Sequence, residues 1–231
     1  MHNNKQEKSL LLIDGHAHLY RTYYSLPNLT NNQGDRCNVI FGVINKINYL
    51  YLKHKPSQMI VIFDSPTPNF RKKLFPKYKI NRHPMPDDLK KQIKPLVEIL
   101  KYSGIPVIIQ EQVEADDVIG SLTLQAIKNN YSLILISTND KDMYQLVRSN
   151  VFILHLATGK ILGPKEIELK YNLKPHFITL LLALKGDTSD NIPGVPGIGE
   201  KTAIQLIQDF GSLENIYNNL NNIKTSKLRN A

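Results

Sequence analysis

The residues with the most chemistry to offer are nine carboxylates out of the 20 in this 231-residue chain: Asp14, Asp64, Glu114, Asp116, Asp117, Asp140, Asp142, Asp187 and Asp190. Asp14, Asp64 and Asp140 end or closely follow three apolar runs, LLLID, MIVIFD and LILISTND. Glu114, Asp116 and Asp117 follow a fourth run, IPVIIQ, where a helical stretch begins. Capping and the helix dipole would account for one acid there, at roughly 0.3–1 kcal/mol each, but three acids within four residues exceed that need. Gathered at one edge, such groups repel one another and stay ionised in a partly desolvated pocket only if cations neutralise them. Oxygen donors without a cysteine cluster or an obvious histidine pair suit Mg²⁺ or Mn²⁺ better than Zn²⁺. There are too many acids for one Mg²⁺, which keeps several waters, so two or more ions are expected. Two ions roughly 3.5–4 Å apart serve in-line displacement at phosphorus. His16 and His18 read as packing groups, because metal-activated water needs no histidine base, and Ser137 and Thr138 lack the elbow and partnered base of a nucleophile.

The elements that must hold these acids follow from the apolar pattern. Continuous runs of Ile, Leu and Val separated by helix-periodic segments such as Val39–Leu52 and Leu89–Leu100 read as buried parallel strands joined by crossover helices. The expectation is an α/β fold with a doubly wound, mostly parallel sheet. Ligands of such sheets bind outside the carboxyl ends of the strands, where Asp14, Asp64 and Asp140 would meet. From Leu180 the texture changes to a helix, a Gly/Pro-rich hairpin with Gly194, Gly197 and Gly199, and an amphipathic helix starting near Glu200. This helix-hairpin-helix pattern lets backbone N–H groups approach a phosphate without reading base sequence. The organisation expected is a core over residues 1–180, the hairpin module over 181–214, and a short helix with a tail over 215–231.

Lys and Arg number 29 against 20 Asp and Glu, a net charge of +9, which suits a polyanionic partner such as nucleic acid. Ten of the bases lie between Arg71 and Lys101, against three acids. Hydrophobic residues at 42% and charged residues at 21% belong to a chain that folds. No apolar run reaches membrane-spanning length, and the LLLI run near the N-terminus is too short for a signal core, so a cytoplasmic protein without a membrane partner is expected. The lone Cys37 can form no internal disulfide and reads as a half-buried apolar residue.

The strings IDGHAHLYRTYYS, VIFDSPTPNFRKKLFPKYKINRHPMPDDL, VEADDVIGSL, STNDKDMYQLV and LKGDTSDNIPGVPGIGEKTA resemble the 5′-nuclease (flap endonuclease) superfamily, in particular the 5′→3′ exonuclease domains of bacterial DNA polymerases I. The matches run in order from Leu10 to about Phe210. The resemblance implies a Rossmann-like (PIN-like) sheet, a helical arch over about residues 66–100 and a helix-three-turn-helix element. It implies a divalent-metal-dependent nuclease acting at 5′ ends and flaps of branched or nicked DNA, including RNA primers paired to DNA, in replication and repair. By the same resemblance Asp14, Asp64, Glu114 and Asp116 are ligands of a first Mg²⁺, directly or through water. Asp140, Asp142 and Asp190 are ligands of a second, with Asp117 and Asp187 as outer or additional ligands and Mn²⁺ as a substitute ion.

Lys79 and Arg82 match the arch-base positions that stabilise charge at the scissile phosphate, and Tyr78 the position that stacks on a terminal base. Arg21 and Arg71 match phosphate-contact positions. The hairpin, with Gly194, Gly197, Gly199, Lys201 and Thr202, holds duplex DNA and offers a place for K⁺. The family pattern further implies a monomer working at the nucleoid beside a separate DNA polymerase. Two departures stand out: His16-Ala17-His18 where small hydroxyl residues are usual, and Asn139 where a glycine is commoner. Family nuclease domains also continue for several helices past Ala231, so a truncated tail is expected. A catalytically idle branched-DNA module would be expected to lose ligand acids, and none is missing. A related RNA nuclease would not call for the Gly194–Gly199 hairpin.

Overall fold

The structure is a computed structural model that describes residues 8–222. The expected tail beyond 222 lies outside the described residues. The chain runs β1 (Ser9–Asp14), α1 (Gly15–Ser25), α2 (Asn38–His54), β2 (Gln58–Phe63), α3 (Phe70–Leu74), α4 (Asp87–Tyr102), β3 (Val107–Ile109), α5 (Ala115–Lys128) and β4 (Leu133–Thr138). A 3₁₀ turn (Lys141–Leu146) leads to β5 (Val151–His155), β6 (Ile161–Leu162), α6 (Pro164–Tyr171), α7 (Ile178–Lys185), β7 (Gly186–Asp187), β8 (Ile192–Pro193), α8 (Glu200–Phe210) and α9 (Leu213–Asn218).

The main sheet has the order β3-β2-β1-β4-β5-β6, parallel from β3 to β5, with β6 antiparallel to β5. The chain steps outward from β1 to β3 and then crosses back to β4 on the other side, so the strand order reverses between β1 and β4. A crevice opens at the carboxyl ends of those strands. Buried on both faces, β1 explains its unbroken apolar run. Leu11 and Ile13 pack with Leu19, Val43 and Leu96 under α1, α2 and α4. Leu10 and Leu12 pack with Ile119, Ile136 and Tyr144 on the other face. Leu181, Leu184, Leu206 and Ile207 of α7 and α8 belong to that second cluster, so the C-terminal helices share a core with the sheet.

The run IPVIIQ contributes only Val107–Ile109 to the sheet, as an edge strand. The basic segment forms the short α3, a series of turns, and α4, rather than helix throughout.

Two close approaches set the geometry near the crevice. A Cβ at Gly15 would lie 2.4 Å from the Phe63 ring and 2.8 Å from the Ile62 carbonyl, so only glycine lets α1 leave β1 against the end of β2. Gly186, at φ +80°, and Gly194 interlock: a Cβ on either would fall 2.2–2.4 Å from the other's backbone segment.

Candidate active site

Four aspartates converge at the strand ends. Asp14 closes β1 and caps α1: its Oδ1 accepts from the Ala17 N–H at 3.0 Å, and its Oδ2 from Thr138 Oγ1 at 2.7 Å. Thr138 in turn accepts the Asp140 N–H at 3.0 Å, so one hydroxyl ties the ends of β1 and β4 together. Asp64, just after β2, accepts the Ala115 N–H at 2.7 Å, which fixes α5 against the same edge. Asp140 accepts the Asp142 N–H at 2.8 Å and starts the 3₁₀ turn. No donor among the described residues hydrogen-bonds the Asp116 carboxylate. Burial and the charges of Asp140, Asp14 and Asp64 raise the Asp116 pKa to about 8. Burial, opposed by the Ala17 and Thr138 hydrogen bonds, raises that of Asp14 to about 6.

A second group adjoins the first through Asp140. Asp142, Asp187 and Asp190 each present a carboxylate oxygen within 4.8 Å of the others. Asp142 Oδ1 is buried and has no hydrogen-bond partner among the described residues, and burial plus the charges of Asp140 and Asp187 raise its pKa to about 6. Burial pushes Asp187 up, but donation from Lys141 Nζ at 3.0 Å and from the Ser189 N–H at 2.9 Å outweighs it and leaves its pKa below the usual value. An orphaned carboxylate oxygen within a three-acid group, beside a second group of mutually repelling acids, fits oxygen-preferring divalent cations.

All seven of these aspartates line one cleft of about 360 Å³, together with His16, Lys79, Arg82 and Lys141. The other two carboxylates turn away from it. Glu114 accepts from Asn69 Nδ2 at 2.6 Å, Lys79 Nζ at 2.8 Å and Tyr78 Oη at 2.9 Å, which neutralises it behind Asp116. Asp117 is held by both arms of Arg71, at 2.7 and 2.8 Å, and its pKa is lowered by that pair. Arg71 and Asp117 therefore satisfy each other, which keeps Asp117 behind the cleft, where only the expected outer role is open to it, and lets Arg71 meet a phosphate only by exchanging that partner.

The expected stacking role of Tyr78 does not fit this arrangement. Its ring is buried, and its hydroxyl donates to Glu114 Oε2 and, at 3.0 Å, to Asp190 Oδ2. Lys79 and Arg82 reach the cleft while paired with Glu114 and Asp190. The two histidines bracket β1. His16 Nδ1 accepts the Asp64 N–H at 3.0 Å, and His18, buried and pushed down to about 3, meets Ser137 Oγ at 3.0 Å.

The hairpin places its glycines differently from one another. Gly194 serves the internal crossing with Lys185 and Gly186, not an approach to an outside partner. Gly197 adopts φ +83°, and Gly199 caps α8 with no heavy atom near its Cβ position, so that turn is open. Lys201 is exposed and Thr202 half-buried in the first turn of α8, and Arg21 is exposed on α1.

Comparison with known proteins resolves the family. The model for the 5′-3′ exonuclease N-terminal resolvase-like domain matches residues 9–172, and that for the 5′-3′ exonuclease C-terminal SAM fold matches residues 173–231. The chain belongs to the 5′-3′ exonuclease family. It is 47% identical to a 5′-3′ exonuclease of Buchnera aphidicola subsp. Baizongia pistaciae, over 98% of this chain and 75% of that one. It is 41% identical to DNA polymerase I of Pseudomonas aeruginosa, over 96% of this chain and 24% of that one.

Among solved structures, the bacteriophage T5 D15 flap endonuclease in complex with DNA and metal ions shares the fold at a TM-score of 0.81 and 22% identity, covering 96% of this chain and 83% of that one. A T5 5′-exonuclease with bound zinc matches at a TM-score of 0.79 and 23% identity, over the same shares. Within this 5′-3′ exonuclease-family chain the sequence reading missed three cleft-supporting groups. Lys141 holds Asp187, Asn69 holds Glu114, and Thr138 joins Asp14 to Asp140. The lysine between two strand-end aspartates was the available signal for the first. Asn139 has a local reason as well: its Oδ1 accepts the Leu156 N–H at 2.9 Å and pins the turn after β5.

Proposed function

We propose that this 5′-3′ exonuclease-family chain is a divalent-metal-dependent, structure-specific 5′-nuclease that hydrolyses DNA phosphodiesters at 5′ ends and flaps. Seven aspartates lining one cleft carry the reading, three of them with pKa values raised to between about 6 and about 8. That arrangement is unfavourable unless cations enter. Asp14, Asp64, Asp116 and Asp140 would hold one Mg²⁺ and Asp142, Asp187 and Asp190 a second, with Asp140 between them and Mn²⁺ as a substitute. Bound there, the ions supply a water acidified to near-neutral pKa and neutralise charge on the phosphoryl oxygens.

The chain's own groups do the rest. Thr138 fixes the spacing of Asp14 and Asp140. Lys79 and Arg82 exchange their carboxylate partners for the phosphate and stabilise charge that develops on it, and Lys141 keeps the Asp187 carboxylate aimed into the cleft. Gly197, Gly199, Lys201 and Thr202 offer a backbone turn and a helix start to a duplex phosphate, with K⁺ in the turn. Arg21 lies on the path out of the cleft. The fitting substrates are nicked or branched duplexes with a 5′ end or flap, including RNA primers paired to DNA. A separate DNA polymerase is the fitting partner for this work, and the chain aligns with 24% of a polymerase I relative. A monomer at the nucleoid suits this work.

The test is a 5′-labelled flap duplex incubated with and without Mg²⁺, with a single-stranded control. Metal-dependent cleavage near the junction, weak on the single strand, is expected. Binding without cleavage in either Mg²⁺ or Mn²⁺ would overturn the reading.

A further inference from the structure

The cleft does not end at its acids. On the side of Tyr20 and Asn139 it opens into a concavity lined by Arg21, Tyr24 and Ser25, and that concavity shares Arg21 and Ser25 with a groove between α1 and α2 lined by Phe41, Lys46 and Tyr49. Three aromatic rings stand exposed along this path: Tyr24 at 74%, Phe41 at 56% and Tyr49 at 50%. Single exposed rings are ordinary on a protein surface, but these three border two adjoining concavities that share Arg21 and Ser25. Cations accompany them. Lys46 Nζ sits 5.1 Å from the Tyr49 ring centroid and Lys53 Nζ 5.5 Å, while Arg21 stands between the two concavities.

Among the described residues the path carries no acid. Neither concavity is lined by Asp or Glu, and between Gly15 and His54 the single carboxylate is Asp35, in the loop joining the helices. This is the reverse of the cleft it joins, where aspartates dominate. An acidic pocket is built for metal ions, whereas a row of rings interleaved with bases suits a chain of stacked bases with phosphates between them. Polypeptide partners would leave Arg21, Lys46 and Lys53 unpaired unless they were acidic, and they would not explain continuity with a cleft for phosphodiesters.

We propose that the α1–α2 groove is a second nucleic-acid subsite, which takes a single-stranded arm of the substrate. Tyr24, Phe41 and Tyr49 stack its bases, and Arg21 and Lys46 hold its phosphates. The subsite rests on the nucleic-acid reading of the cleft and extends it by naming a separate surface and the strand form that fills it. Its contribution is to favour substrates with unpaired arms over fully paired ends.

The test measures affinity without added divalent metal for three labelled DNAs that share one duplex: a nicked duplex without an arm, the same duplex with an unpaired 5′ arm, and a gapped duplex whose unpaired stretch lies in the opposite strand. The readout is the affinity ratio of each armed DNA to the armless one, which cancels any general loss of folded protein. Phe41→Ala combined with Tyr49→Ala is expected to reduce the ratio at least 10-fold for one armed DNA, and which one responds identifies the arm. Tyr49→Phe, which keeps the ring, should preserve the ratio, and Lys46→Gln should reduce it with a shallower salt dependence.

Placing 4-thiothymidine in the responding arm should give photo-crosslinks that map to α1 or α2. Ratios unchanged in the double variant, or crosslinks confined to other elements, would overturn the subsite. Failure of the unaltered protein to bind any of the three DNAs would instead overturn the nucleic-acid reading of the cleft itself.

Discussion

Asp116 is the cleft carboxylate least supported by its neighbours, since no donor among the described residues bonds it and it faces three other acids. Its charge is tolerable only when cations are present, which separates its effect on turnover from its effect on folding. Asp116→Asn is expected to lower turnover on flap DNA by at least about 100-fold while leaving affinity for the DNA within a few-fold, because the lost charge matters more to the transition state than to docking. The same substitution should raise the thermal midpoint of the metal-free protein at pH 7.5 by a few degrees, since it deletes a repelled carboxylate. Steady-state kinetics and thermal melts in EDTA check the two halves, and wild-type turnover would remove Asp116 from the metal site. Lys79→Met tests the phosphate-side chemistry. Loss of one preorganised donor typically lowers rate by about 10²–10³, so a drop in kcat without a matching rise in KM is expected.

At the scale of elements, the hairpin after α7 couples backbone geometry to the second acid group. Gly186 and Gly194 press backbone to backbone, and Asp187 and Asp190 sit between them in the chain. Gly194→Ala is therefore expected to destabilise the fold by about 2–4 kcal/mol, read as a lower urea midpoint, whereas Gly199→Ser, with open space at its Cβ and a better capping side chain, should be neutral or slightly stabilising. Lys201→Ala in the first turn of α8 should weaken duplex binding and reduce its salt slope by about 1, as expected for one lost phosphate contact. An unchanged slope would exclude that contact. The sheet was legible because a strand buried on both faces must be apolar at every position, and the acids were legible because they end those strands. β5 went unread because VFILH ends in His155 and leads to no acid, so it carried no chemical signal. The pairing of Arg71 with Asp117, and the burial of Tyr78, depend on how α3 and its following turns fold back on α5. That is a long-range contact which local spacing does not encode.

For the whole molecule, the clustered aspartates tie folding to pH and to metal. Asp14 and Asp116 have pKa values near 6 and near 8 in the fold, against about 3.9 in an unfolded chain, and Asp142 is shifted the same way. Between those limits the folded protein holds protons that the unfolded chain has lost, so this contribution to stability is present at low pH and disappears as pH rises through the folded values. Asp117 and Asp187, with lowered pKa values, work in the opposite direction, but only as pH falls below about 4. Below about pH 7, His16 and the buried His18, whose pKa values are lowered, also work in the opposite direction, so the window from pH 7 to pH 8 isolates the repelling group, which titrates as a coupled unit rather than site by site.

In EDTA the thermal midpoint is expected to fall across that window by about 2–4 °C, corresponding to roughly 1 kcal/mol for a chain of this length. Divalent ions bind the deprotonated carboxylates and should reverse the trend, so that Mg²⁺ or Mn²⁺ raises the midpoint more at pH 8 than at pH 7. Melts at both pH values, with and without metal, measure the coupling directly. A midpoint that does not fall with pH in EDTA, or a metal effect equal at the two pH values, would mean that the acids are neutralised within the protein. Lys79, Arg82 and Lys141 would then already suffice as counter-ions for the cleft.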